Sequence, residues 1–241
     1  CVSSSHALVV AFQRLRLKRI RRALVVGFEP LLNMTLHGFS SLLLYDSDCC
    51  RPFDVARSGM QIGEASSCIV LEAGDFGPRT KSVYTLRGGY LFNDNSSLTS
   101  AGTNGEMVKS VVQEALKRAD IRPDEIVAVK AHGTGTRDND LSEGRGLLKV
   151  FGRTLPPVTS LKGVIGHALG AAGAVETALW LSCLEEGTIP RCFGFAGLDP
   201  EIGFAPLTEN RPAGDGAYLF NFFGFGATCT SYIIHRMQGK V

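Results

Sequence analysis

The chain has 241 residues, 44% of them hydrophobic, with 25 Lys and Arg against 23 Asp and Glu and a formal net charge of +2. That length holds one large or two small domains with a sizeable core, and the balanced charge gives no chain-wide signal for nucleic acid. Seven cysteines (Cys1, Cys49, Cys50, Cys68, Cys183, Cys192 and Cys229) are odd in number and form no CxxC pair, which argues against a disulfide framework and for reduced thiols in the cytoplasm.

In chain order, Ser3 to about Lys18 reads as a helix, with Ala7, Leu8, Ala11, Phe12 and Leu15 at helical spacing behind serine N-caps. Its end carries the one dense basic run, Arg14, Arg16, Lys18, Arg19, Arg21 and Arg22, read as a solvated face or a docking surface for an acidic partner. A short buried strand is predicted over Ala23–Glu29, a helix over Leu31–Leu44 and a second buried strand over Ser66–Ala73. The chain turns at "GDFGPRTK" and restarts. Strands are predicted over Ser82–Phe92, Ile126–Ala131, Val158–Ser160, Ala217–Phe223 and Thr228–His235, and helices over Asn104–Ala119, Leu141–Phe151 and Ala171–Glu186. This βαβαβαββ order predicts a largely parallel sheet covered by helices. The division expected is 1–79, a remainder, and 80–241, a complete α/β unit.

No apolar stretch reaches membrane-spanning length, and there is no signal-peptide pattern. A lipid-bearing N-terminal Cys is disfavoured, because Val2–Phe12 reads as a packed helix rather than a tether. No metal-ligand spacing and no nucleotide-binding loop stand out.

Four stretches hold the chemistry. "CVSSS" opens the chain. "AHGTGTRDNDLSE" sets His132, Thr134, Thr136, Asp140 and Glu143 behind a strand. "TSLKGVIGHALGAAGAVE" holds Lys162 and His167. "NFFGFGATCT" holds Gly224 and Phe225 between the closing strands. Each has a bland reading: a structural His, a close-packed Gly-Ala helix, an incidental Cys, a core aromatic at Phe225, an N-cap at Asp140. Together and in this order they resemble the β-ketoacyl-ACP synthases of the thiolase superfamily, in the branch that uses Cys, His and His. "RPFDVARSGMQIGEASSCIVLE" and "LTSAGTNG" extend the resemblance, with Ala65 standing where Gly is common.

The resemblance implies an α/β, thiolase-like fold of five layers, αβαβα, with the first part of the N-terminal half lying upstream of Cys1. It implies decarboxylative Claisen condensation of an acyl group on Cys1 with malonyl-ACP, giving β-ketoacyl-ACP in fatty acid, polyene or polyketide biosynthesis. Cys1, His132, His167 and Lys162 would be catalytic, with Phe225 and Gly224 at an oxyanion and gating position. Glu143 and Asp140 would support them, with Glu143 and Lys162 acting electrostatically on the histidines or forming a structural ion pair. Thr134 and Thr136 would bind the phosphopantetheine arm of an acyl carrier protein; no metal and no bound cofactor are implied. The expected partners are that carrier protein, the upstream half, and a second subunit in a homodimer or ketosynthase heterodimer. Competing readings are a chain-length-factor-like subunit, which Cys1 argues against, an acyltransferase using the same Cys, and a hydrolase using an N-terminal nucleophile, which the helical start argues against. Three accounts of the start at Cys1 stand side by side: cleavage before Cys1 with the upstream piece still bound, a break of numbering alone, and truncation. In the first, Cys1 would carry a free amine and condensation would be poor.

Overall fold

A computed structural model describes residues 1–74, 82–93 and 102–238. In chain order the elements are α1 (Ser3–Arg16), β1 (Arg22–Glu29), α2 (Asn33–Ser41), β2 (Ala65–Glu72), β3 (Val83–Asn93), α3 (Glu106–Ala119), β4 (Ile126–Lys130) and α4 (Arg137–Phe151). They continue with β5 (Val158–Thr159), α5 (Lys162–Ile165), α6 (Ala172–Glu185), β6 (Thr188–Ile189), β7 (Arg211–Pro212), β8 (Gly216–Gly224) and β9 (Thr228–Met237). Most of the turn expected at "GDFGPRTK" and the first half of "LTSAGTNG" lie outside the described residues.

The central sheet runs β3-β9-β8-β4-β5. It is mixed rather than largely parallel: β8, β4 and β5 are parallel, whereas β9 is antiparallel to both its neighbours. The cause is local. The Phe225–Ala227 turn reverses the chain directly from β8 into β9, and β3 then adds antiparallel to β9.

Side-chain alternation along β8 divides the interior in two. Ala217, Leu219 and Phe223 join one cluster with Val111, Val112, Leu116 and Leu147 of α3 and α4. Tyr218, Phe220 and Phe222 join another with Leu8, Val9, Trp180 and Leu184 of α1 and α6. The α3 stripe Met107, Val108, Val111, Val112, Ala115, Leu116 and Ala119 has the spacing of one helical face and is buried. By contrast α6 lies between two sheets and is apolar nearly all round. The pair β1–β2, antiparallel, packs on the outer side of α1 and α6, so the layers follow as helix, sheet, helix, sheet.

β1 and β2 are not the fully buried strands their apolar runs suggest. Only Val25 and Gly27 of β1 are buried; Leu24, Val26 and Phe28 are exposed, as is Val70 of β2. α2 is shorter than predicted and has no buried residue. α4 begins four residues before the predicted start, and α5 and the two-residue pair β6–β7 were too short to leave a periodic signal. The basic run is exposed, with Arg22 paired to Glu72 across the strands at 2.5 Å.

Close approach of α1 and α6 sets the position of the chain start. A Cβ on Gly173 would stand 2.1 Å from the backbone nitrogen of Ser5, so only glycine permits this contact. Ser4 reinforces it: its hydroxyl donates to the carbonyl of Gly170 at 2.6 Å and accepts from the amide of Ala174 at 3.0 Å.

Candidate active site

Four chain segments converge on one cavity of about 580 Å³: the N-terminus of α1, the loop after β4, the loop before α6 and the β8–β9 turn. Cys1, His132, Thr134, Thr136, His167 and Gly224 all line it, as does Phe225. Cys1 stands one residue before the Val2 cap of α1, at the positive end of that helix. A Cβ on Gly224 would lie 3.5 Å from that of Cys1, so the β8–β9 turn abuts the thiol. Among the described residues Cys1 is the cysteine that lines this cavity. Cys50 and Cys192 are buried nearby, and burial pushes both thiols up to about 12, which keeps them protonated.

The His132–Thr136 loop turns back on itself through two glycines with left-handed backbone, Gly133 (φ 42°) and Gly135 (φ 77°). Two carboxylates from the first turns of α4 hold it. Glu143 accepts from the amides of His132 (2.9 Å) and Gly133 (2.8 Å) and from Asn221 Nδ2 (3.2 Å). Asp140 accepts from the amides of Thr134 (3.0 Å), Gly135 (3.1 Å) and Phe53 (2.7 Å). Asp140 therefore does not cap α4, whose cap position is Thr136; it clasps the preceding loop and ties it to the segment around Phe53. The hydroxyls of Thr134 and Thr136 are 2.9 Å apart, beside one another on the cavity wall.

The two imidazoles meet edge to face, ring centres 5.2 Å apart, and Phe223 closes on His132 at 5.7 Å. Both rings are buried, and both pKa values lie well below the ordinary 6.5, chiefly through desolvation and secondly through the cation of Lys162. Both are therefore neutral at pH 7. Lys162 Nζ donates to the carbonyl of His132 at 2.8 Å and lies 3.3 Å from its Nδ1. An ammonium only donates, so Nδ1 accepts and the imidazole proton sits on Nε2. Neither ring nitrogen of His167 has a protein partner among the described residues, and the ring faces the cavity.

The partner of Lys162 is Glu176, at 2.6 Å, not Glu143. Sequence reading missed Glu176 because it sits within the apolar helix "AAGAVETALWLSCLE", and it missed Lys130 and Asn221, which complete the buried network. A charged residue in an otherwise apolar helix was the available signal. Phe225 is not a core aromatic: it is 41% exposed and stacks on Phe39 of α2 at 5.6 Å.

Comparison with known proteins gives a consistent picture. The model of the "Beta-ketoacyl synthase, N-terminal domain" matches residues 1–75 and that of the "Beta-ketoacyl synthase, C-terminal domain" matches residues 84–196. The chain is 30% identical over 237 residues to 3-oxoacyl-[acyl-carrier-protein] synthase 2 of Mycobacterium tuberculosis, covering 94% of this chain and 57% of the relative. It is 32% identical over 196 residues to putative polyketide beta-ketoacyl synthase 1 of Streptomyces cyaneus, covering 79% and 46%. Among solved structures, a beta-ketoacyl synthase from Burkholderia phymatum superposes with a TM-score of 0.89 at 27% identity, over 99% of this chain and 60% of that one. A ketosynthase from Xenorhabdus doucetiae, solved in complex with its chain length factor, gives 0.86 at 30% identity, over 98% and 58%. The chain thus spans between 46% and 60% of the length of these four proteins.

Proposed function

The chain belongs to the β-ketoacyl synthase family, and on that premise we propose that it performs decarboxylative condensation of an acyl group with a malonyl thioester held on an acyl carrier protein. The observation that carries this reading is the convergence of Cys1, His132 and His167 on one cavity, with both imidazoles neutral.

The Cys1 thiolate attacks the acyl thioester of the first carrier, forming acyl-Cys1 and releasing the carrier thiol. A malonyl thioester then enters past Thr134 and Thr136, which hydrogen-bond the phosphopantetheine arm. Its carboxylate leaves as CO2, and the electron pair of the broken C–C bond becomes an enolate. His132 Nε2–H and the N–H of His167 stabilise the enolate oxygen. The enolate carbon attacks the acyl-Cys1 carbonyl, whose oxygen is held by backbone amides at Cys1 and Phe225. Collapse expels the Cys1 thiolate and leaves a β-ketoacyl thioester on the second carrier.

Lys162 and Glu143 hold the histidines and their loop, Asp140 supports that loop, and the Phe225 turn beside Gly224 gates the thiol. Residues 1–79 and 80–241 are the two units of this arrangement, a division supported by the two family models. A cytoplasmic setting is part of this reading, supported by the odd number of cysteines and the lack of a CxxC pair in the sequence. Among the described residues no helix is long and apolar enough to cross a membrane. The partners proposed are an acyl carrier protein and a second subunit, either a second copy or a chain-length-factor-like chain; a relative solved in complex with its chain length factor supports the latter class.

The test is acyl loading. Incubation with an acyl thioester should leave the acyl mass on the peptide carrying Cys1, and prior treatment with iodoacetamide should block it. Loading on another residue, or none, refutes the reading.

A further inference from the structure

Behind His132 lies a closed circuit of buried polar groups. Lys162 bonds His132 and Glu176 Oε1; Glu176 Oε2 bonds Lys130; Lys130 donates to the carbonyl of Asn221 at 3.2 Å; Asn221 donates to Glu143 at 3.2 Å; and Glu143 returns to the amide of His132. The side chains of Lys130, Lys162 and Glu176 are entirely buried. Lys130 Nζ also lies 3.5 Å from the centre of the Phe222 ring. One carboxylate thus serves two ammonium groups, an arrangement that costs desolvation of a second cation and is not needed to neutralise Lys162.

We propose that Lys130 is a positioning residue for His132: by taking one oxygen of Glu176 it fixes the carboxylate, which holds Lys162 against Nδ1 and keeps the imidazole proton on Nε2. This deepens the ketosynthase reading and rests on it for its catalytic meaning. The geometry gives the reason. With Oε2 tied to Lys130, Glu176 presents only Oε1 to Lys162, so the ammonium has one place to sit. Without that tether the carboxylate is free to rotate and take Lys162 bidentately, drawing it off Nδ1. Either tautomer of His132 is then available, and only one donates toward the cavity.

Burial pulls Lys130 down from the ordinary lysine range, with Glu176 opposing; the contact itself is fixed by the geometry of the pair. The other charged or titratable groups around Lys130 and His132 are Lys162, Glu176, Glu143 and His167, with Asp140 clasping the same loop and Cys1 lining the same cavity.

The test uses the full chain labelled with 15N-histidine, whose ring shifts report the tautomer directly; the 241 residues contain five histidines. In the native protein at pH 7, His132 should show a single Nε2–H tautomer. In Lys130→Met, or in Lys130→Leu should the first variant not fold, a mixture of both tautomers should be present at pH 7. Decarboxylation of a malonyl thioester should fall about tenfold in kcat with KM unchanged, the mark of misplacement rather than lost binding. A mixture of tautomers in the native protein at pH 7, or a single, unchanged Nε2–H tautomer in a folded variant, overturns the inference. If the native protein does not decarboxylate, the ketosynthase reading falls while the tautomer still decides the role of Lys130.

Discussion

At the residue scale the site separates two kinds of work. On the proposed reading Cys1 would accept the acyl group, whereas His132 and His167 would act on the malonyl unit; the three reach the cavity from different elements. Cys1→Ala should therefore abolish acyl loading and condensation while leaving malonyl decarboxylation measurable, read as CO2 release. His132→Ala or His167→Ala should leave acyl loading intact and cut decarboxylation by ~10²–10³-fold, the usual cost of one oxyanion donor. Equal loss of both activities in every variant would refute the division. The histidines also set a pH dependence. The proposed condensation needs them neutral, and their pKa values lie well below 6.5 because burial and Lys162 disfavour the imidazolium. Loss of decarboxylation assignable to imidazole protonation should thus occur well below pH 6.5; His132 or His167 titrating at 6.5 or above in the folded protein contradicts this. The sequence singled out Cys1, His132 and His167 only through the order of four stretches and the family they resemble, since each alone has a bland reading; the structure brings all three to one cavity. The Lys162–Glu176 pair was not legible there, since its partners sit 14 residues apart on separate elements and only packing brings them together.

At the element scale the site depends on two close contacts. Asp140, buried at the start of α4, satisfies three amides of two loops. Asp140→Ala leaves those donors without partners and should lower stability by about 3 kcal/mol, seen as a fall in denaturation midpoint. Gly173 lets α6 touch the backbone of α1. Gly173→Ala forces the helices apart, and it should cost about 2 kcal/mol and slow acyl loading at Cys1, because α1 carries the thiol. Wild-type loading rates in that variant would show that the contact does not position Cys1. Most elements were readable from hydrophobic period and turn residues. Sheet direction was not: a strand such as Val83–Asn93 carries no local signal that separates parallel from antiparallel neighbours, and pairing with β9 decides it. Burial was misread for the same reason at β1, whose apolar residues alternate between a buried and an open face.

At the scale of the whole molecule, helix, sheet, helix, sheet follow one another, and the candidate site opens where the ends of α1, β4 and β8 meet. The sheet stands between two apolar clusters, so the rigid ends of its strands fix the distances on which the chemistry depends. Trp180, fully buried against Tyr218 and Phe220, joins the central sheet to α6. The central claim is that this frame brings a thiol and two neutral imidazoles together for carbon–carbon bond formation. The most direct measurement supplies an acyl-carrier thioester and a malonyl-carrier thioester labelled with 13C at the free carboxyl, and follows carrier-bound products by mass. The account predicts a β-ketoacyl thioester extended by two unlabelled carbons, with one labelled CO2 released per product, and no such product from Cys1→Ala. Retention of the label in the product, or extension that persists without the Cys1 thiol, would contradict it.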